Sequence, residues 1–372
     1  MPDITKLKSV TEEIIGEDTL VRLLDKKSYL RHYIGLEISG NLHIGHAVSA
    51  MLVIKELQEL GVHCTIFLAD WHAWINDKLG GDLKFMDEVG IPLFKELFKA
   101  SSLMVGADFD KIEFIKASTI VDSSDYWACV IDVAKNTSLA RIERSIDILG
   151  RKEGESTDFA KLMYPAMQVA DIYYMQTHIM HAGMDQRKAH VIALDVAKSL
   201  KIKPMIVDGE RISPIAIHHH LLLGLTPPSK EVQAKGEVTR DDLTEMKMSK
   251  SKPMSAVFLV DTPEVVKEKI MKAFCPEGQV KLNPILDWSK NVCFKLGTKT
   301  IDIKRKEEWG GDKTYTTYEE LEKDFVEKKL HPMDLKDAVA RSLITILEPA
   351  TKYLDNPKIK ELSELVKNKV SR

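Results

Sequence analysis

Cysteine is scarce in this chain of 372 residues, and so are several other signals that would narrow its class at once. The four cysteines, Cys64, Cys129, Cys275 and Cys293, form no CxxC pair and have no histidine at ligand spacing. That points to reduced thiols in a cytosol and away from structural zinc. No apolar run approaches membrane-spanning length, and the opening MPDITKLKSVTEEIIGED has neither an apolar signal core nor an Arg-rich, acid-poor transit composition. A cytoplasmic protein with no membrane contact is therefore expected. Charge of one sign is missing too: 53 Lys and Arg against 56 Asp and Glu leave a formal charge of -3. No global basicity announces nucleic acid, so any such contact must come from local patches. The first turn carries no GxGxxG, which disfavours a dinucleotide enzyme.

What is present is an ordinary globular balance, 44% apolar and 29% charged, in a chain long enough for two or three domains. The informative stretch is Tyr33 to His46, YIGLEISGNLHIGH, an apolar strand running through a Ser-Gly-Asn turn into a helix. Val48, Met51, Leu52, Ile54 and Leu57 continue at helical spacing, so His43 and His46 fall on its first turn, where unpaired N–H groups and the helix dipole favour anions. A lone histidine at a helix start is usually a cap or a surface residue. Here it is accompanied, far downstream, by the basic loop Lys247-Met248-Ser249-Lys250-Ser251.

Taken in order, residues 1–28 read as helices packed on a core. Strands are expected at 30–38, 63–69 and 112–116 and helices at 44–60 and through Leu103, an alternation that implies a parallel sheet of Rossmann type with ligands beyond the strands' carboxyl ends. From Ser123 to about Leu149 a helical segment interrupts this alternation, either as a dimer surface or as ordinary helical core. In the helix 158–175, Tyr164, Gln168 and Asp171 form one polar stripe with apolar flanks. A polar stripe is usually a solvated face; if this one faces inward, a polar ligand would satisfy it. HIMHAG reads as a short strand, and Asp185 and Gln186 follow it at a strand-to-helix turn. The run His218-His219-His220 is expected on a helix, where consecutive side chains diverge by about 100° and cannot converge on one metal, and reads as packing near the sheet edge. Beyond about residue 256 the pattern is mainly helical, interrupted by one or two strands near a basic, aromatic cluster, Lys304, Arg305, Lys306, Trp309 and Lys313. Such a cluster is either a solvated loop or a stacking surface for single-stranded RNA.

HxGH followed by KMSKS in that order resembles the signature pair of class I aminoacyl-tRNA synthetases. Over nearly the whole chain the residues are similar to the tyrosyl-tRNA synthetase family of the archaeal and eukaryotic type. One departure is KMSKS itself, since several archaeal members carry fewer lysines. The resemblance implies a Rossmann-type catalytic domain over 1–240, with a helical insertion and dimer surface at about 120–157. A linker with the KMSKS loop follows at 241–255, and a mainly helical anticodon-binding domain at 256–372. It implies ATP with Mg²⁺, L-tyrosine and tRNA(Tyr) as partners, a homodimer, and no metal held by the protein. His43, Gly45, His46, Asp185, Lys247, Met248, Ser249 and Lys250 match the ATP site, with His43, His46, Lys247 and Lys250 catalytic and Asp185 at the ribose. Tyr33 and Asp171 match the pair that grips the substrate phenol, which favours tyrosine over tryptophan. Tyr164, Gln168 and Gln186 match the groups at the ammonium end, and Glu37 and His72 line the cleft. Trp309, His331 and Asp334 match contacts to the first anticodon base. Two rival readings are a free-standing nucleotidyltransferase and a catalytically retired RNA-binding relative. The long C-terminal tail weighs against the first, and the four intact catalytic positions against the second.

Overall fold

The computed structural model describes residues 2–149, 158–235, 237–248 and 252–370. Its centre is a six-stranded sheet built from β1 (Glu13–Ile15), β2 (Arg31–Glu37), β3 (His63–Ala69), β4 (Ile112–Lys116), β5 (Ile179–Gly183) and, after the hairpin of β6 (Ile206–Val207) and β7 (Glu210–Arg211), β8 (Ile215–His219). The order is β1-β8-β5-β2-β3-β4, with β8, β5, β2, β3 and β4 parallel and β1 antiparallel at the edge. HCTIFLA of β3 is almost wholly buried, as expected for a parallel strand covered on both faces. From β2 the chain winds outward through β3 and β4, then returns to place β5 on the other side of β2. The crevice at the carboxyl ends of β2 and β5 is thus the switch point at which an open α/β sheet binds its ligands.

Two expectations need correction. Residues 1–28 are not all helical: Glu13–Ile15, with β-branched Ile14 and Ile15, caps the sheet edge by pairing with β8. A left-handed Gly16 (φ 89°) turns the chain out of that strand. The histidine run lies on a strand, not a helix, so His218 and His219 point to opposite faces of β8, and His220 just past its end meets Glu12 and Asp287. The charged stretch 150–157 that closes the expected insertion lies outside the described residues.

The C-terminal part is helical, with Pro263–Lys272, Tyr318–Val326, Pro332–Leu354 and Pro357–Val370 around a hairpin of β9 (Ile301–Ile303) and β10 (Lys313–Tyr315). Helix Pro332–Leu354 packs on helix Ile91–Val105 of the sheet region, and Tyr353 and Glu96 are hydrogen-bonded across that contact. Among the described residues, no helix is long and apolar enough to cross a membrane.

Candidate active site

The segment leaving β2 makes the first half of the site. His46 lies in the first turn of the helical stretch Gly45–Glu59, whose first six residues take wide π-type turns, whereas His43 sits just ahead of it, bridged to Phe258 rather than on the expected first turn, and the two rings lie 4.5 Å apart. The approach to this turn is held by a second segment. Ile44 N donates to Val257 O (2.9 Å) and Leu259 N to Leu42 O (3.0 Å), so residues 42–44 run antiparallel to the chain just after the KMSKS loop. Met248 also closes on the same turn: a Cβ at Gly45 would sit 2.7 Å from Met248 Cε and 3.0 Å from the His43 ring. The two signature motifs therefore meet physically, and Gly45 is the residue whose missing side chain lets them.

Lys247 bridges to Leu223 through the backbone, and its Nζ lies 2.5 Å from Asp185 Oδ2 at the end of β5. Burial acts to raise the Asp185 carboxyl, but the charge and hydrogen bond of Lys247, with His46 and His219 behind them, bring it down to about 2. A predicted phosphate-binding lysine and a predicted ribose-binding carboxylate thus hold each other. Ser249 and Lys250 fall outside the described residues.

The second half is the polar stripe. Tyr164, Gln168 and Asp171 on helix Phe159–Tyr174 are all buried and face inward, Asp171 with no exposed surface at all. Asp171 Oδ1 accepts from Tyr126 Oη (2.9 Å), while Oδ2 is 3.2 Å from His72 Nε2 yet off any hydrogen-bond direction. Burial, the largest influence, pulls the His72 imidazole down, but the charge and close contact of Asp171, together with the charges of Glu37 and Asp70, outweigh it and the net shift is upward. Tyr33, on β2, is driven well above the usual phenol range by burial first and the Asp171 charge second, so it stays protonated. Nearer the mouth, Tyr164 Oη donates to Glu37 Oε1 (3.0 Å), and Asn76 and Lys78 reach the same carboxylate. Gln168 Nε2 meets Gln186 Oε1 at 3.4 Å, leaving Gln168 Oε1 buried with no hydrogen bond.

Both halves open into one cleft of about 1360 Å³, lined by Tyr33, Glu37, His43, His46, His72, Tyr164, Gln168, Asp185, Gln186, Lys247 and Met248. Tyr33 and His72, the neighbours of Asp171, line its inner end. Trp309, His331 and Asp334 lie in the C-terminal part, away from this cleft. Trp309 is 63% exposed on the β9–β10 loop under Lys306, and Arg305 of that loop donates to Lys329 O, two residues before His331. His331 caps helix Pro332–Leu354, accepting from Met333 N, and Asp334 sits in its first turn.

Three contributors were not anticipated. Tyr126 sits in a helical segment where nothing marks one tyrosine as a carboxylate partner. Asn76 has no periodic signature. Gly35 could have been found: glycine inside a strand marks close approach, and a Cβ there would lie 2.3 Å from Tyr33 Oη.

An inner polar recess joined to an imidazole- and lysine-lined outer cleft suits a small aromatic ligand and a nucleotide side by side. Residues 25–348 match the family of tRNA synthetases class I (W and Y), and the chain belongs to that family. Its fold is that of a class I synthetase, with a parallel-dominated α/β sheet and a helical C-terminal region. Within the family it falls in the tyrosine–tRNA ligase branch. It is 53% identical over 361 residues to the tyrosine–tRNA ligase of Thermococcus kodakarensis, covering 97% of this chain and 96% of that one. The crystal structure of a Pyrococcus horikoshii tyrosyl-tRNA synthetase complexed with L-tyrosine superposes at a TM-score of 0.92, with 48% identity over 99% of this chain and 100% of that one. The Aeropyrum pernix tyrosyl-tRNA synthetase follows at 0.81, with 37% identity and 98% of each chain covered.

Proposed function

We propose that the cleft activates L-tyrosine with ATP, releasing pyrophosphate, and then transfers the tyrosyl group to the terminal adenosine of tRNA(Tyr). The observation that carries the tyrosine reading is Asp171 Oδ2, a fully buried carboxylate oxygen with no hydrogen bond, beside a protonated phenol on Tyr33. A buried acceptor of this kind is costly unless a donor arrives, and a substrate phenol O–H supplies one while accepting from Tyr33. Gln168 Oε1 and the Glu37–Tyr164 pair, nearer the mouth, suit the ammonium end, with Gln186 and His72 completing the wall.

In the first step a tyrosine carboxylate oxygen attacks the α-phosphorus, and the bond from that phosphorus to the bridging oxygen of pyrophosphate breaks. Both reactants are anionic, so the residues stabilise charge and hold an in-line approach. His43 and His46 donate to phosphate oxygens beside the Gly45 turn. Asp185 takes the ribose hydroxyls, which frees Lys247 for the leaving pyrophosphate. Lys250, with Ser249 in the same loop, adds to that charge. Mg²⁺ accompanies the triphosphate; among the described residues no cluster of His, Cys, Asp and Glu is set to hold an ion. In the second step a terminal adenosine hydroxyl of tRNA attacks the acyl carbon and AMP leaves. Exposed Trp309 would stack on one anticodon base, with His331 and Asp334 as its polar contacts. Exposed Ile131 and Leu139 in the 120–157 region suit a homodimer contact, to be read from the mass in solution, and the chain works in the cytoplasm.

Tyrosine-dependent ATP–pyrophosphate exchange, followed by charging of tRNA(Tyr), tests the whole. Exchange driven by tryptophan, or absent with every amino acid, overturns it.

A further inference from the structure

Beneath the Asp185 end of the cleft lies a row of buried histidines that the mechanism above leaves unused. His32 on β2, His181 on β5 and His219 on β8 share one face of the sheet and step diagonally across three strands. His32 Nε2 lies 3.0 Å from His181 Nδ1, and His181 Nε2 lies 2.8 Å from His219 Nδ1. His32 and His181 are wholly buried and His219 is nearly so. Burial, first among the causes, holds the imidazoles of His32, His181 and His219 far below their ordinary range, at about 3 for His32 and about 4 for His219. Each ring is therefore neutral and carries one N–H.

That count leaves two arrangements. If His181 carries its proton on Nδ1, it donates to His32 Nε2, and the His32 proton must sit on Nδ1, which is buried with no partner. At the other end His219 would then turn a bare Nε2 toward the Asp185 carboxylate. If His181 carries its proton on Nε2, the bare nitrogen falls on His32 Nδ1, where an unused acceptor costs less than an unused N–H, and His219 presents Nε2–H to the cleft. Both ends of the row select the second arrangement. Both groups crowd the same glycine: a Cβ at Gly183 would lie 2.7 Å from Asp185 Oδ1 and 3.3 Å from His219 Nε2. Lys247 holds the other oxygen, Oδ2, and among the described residues no hydrogen bond engages His219 Nε2.

We infer that His219 is a positioning residue for the nucleotide. The relay from His32 through His181 fixes its Nε2–H as a donor toward Asp185 Oδ1, holding the carboxylate for the ribose diol once Lys247 leaves it for the phosphates. This rests on the assignment of Asp185 to the ribose.

Two measurements test it. Long-range ¹H–¹⁵N correlation spectra of the histidine-labelled full chain, assigned by single His→Gln variants, should show His32, His181 and His219 all protonated on Nε2. A His219 protonated on Nδ1 overturns the inference. In tyrosine-dependent pyrophosphate exchange, His219→Leu should raise KM for ATP about tenfold, the order of one hydrogen bond to a charged group, and shrink the preference for ATP over 2′-deoxy-ATP. KM for tyrosine should stay as it is, and His219→Gln, which keeps a donor, should restore both ATP effects. Equal loss toward ATP and 2′-deoxy-ATP, or no loss, overturns the inference while leaving the ligase reading intact. Failure of the unaltered chain to exchange with tyrosine overturns the reading itself. If His219→Leu does not fold, the spectra of the unaltered chain still decide.

Discussion

Replacing Gly35 by alanine separates the reading of the substrate phenol from the stability of the fold. Gly35 and Tyr33 lie on the same face of β2, and the Tyr33 ring runs along the strand over the glycine. A Cβ at position 35 would stand 2.3 Å from Tyr33 Oη and 2.9 Å from Cζ, against an ordinary C···O contact of about 3.3–3.6 Å. The phenol must therefore shift by roughly 1 Å, enough to take its oxygen out of hydrogen-bonding range of a ligand positioned by Asp171. A buried polar group left unmatched costs about 1–3 kcal/mol, or roughly 5- to 150-fold in kcat/KM for tyrosine. Phenylalanine makes no such bond and loses less, so the tyrosine-to-phenylalanine ratio in pyrophosphate exchange should fall. The fold should lose little, because the roughly 0.5–1 kcal/mol by which alanine is favoured over glycine in a strand interior offsets part of the about 1–3 kcal/mol that overpacking costs. A double-mutant cycle sharpens the test: with Tyr33→Phe in place the 2.3 Å clash is gone and only the one at Cζ remains, so adding Gly35→Ala should cost tyrosine little more. If Gly35→Ala alone leaves kcat/KM within about twofold, the spread of a neutral surface change, Tyr33 does not read the phenol.

Asp171→Ala should cost tyrosine selectivity and also stability, by about 1–3 kcal/mol, because the buried Tyr126 hydroxyl loses its acceptor; urea unfolding that matches the unaltered chain would show that this bond contributes nothing. Gly45→Ala should slow adenylate formation at unchanged KM for tyrosine, since its Cβ meets Met248 Cε at 2.7 Å, and Met248→Ala should recover part of the rate in single-turnover measurements. His220 sits between Asp287 (2.7 Å) and Glu12 (3.2 Å); burial works against its charge, but these carboxylates raise it to about 9 from an ordinary 6.5. Its contribution to stability is then fully present below about pH 6.5 and lost as pH rises through about 9, so unfolding free energy should fall over that window, and His220→Gln should flatten the slope.

The parallel strands and both signature motifs were legible because each is a local pattern: a buried apolar run for β3, a polar stripe at i, i+4, i+7 for Tyr164, Gln168 and Asp171. What escaped was pairwise. Nothing at position 126 marks it as the partner of residue 171, because that contact depends on how two helices pack. Glu13–Ile15 passed for helix because three residues are too short for a period to declare itself, and their strand state comes from β8 beside them. The histidine run reads as helix for the same reason, and only the sheet shows that His219 faces the cleft row while His218 meets His190 on the opposite face. The coupling of the two motifs belongs to this class. Two hundred positions part HxGH from KMSKS in the sequence, yet backbone bonds from Leu42 and Ile44 to the segment after the loop, with Met248 seated on Gly45, make them one structural unit. A loop anchored on the turn that carries both imidazoles cannot move without bearing on them, so histidine placement and lysine placement at the phosphates should fail together when either anchor is cut.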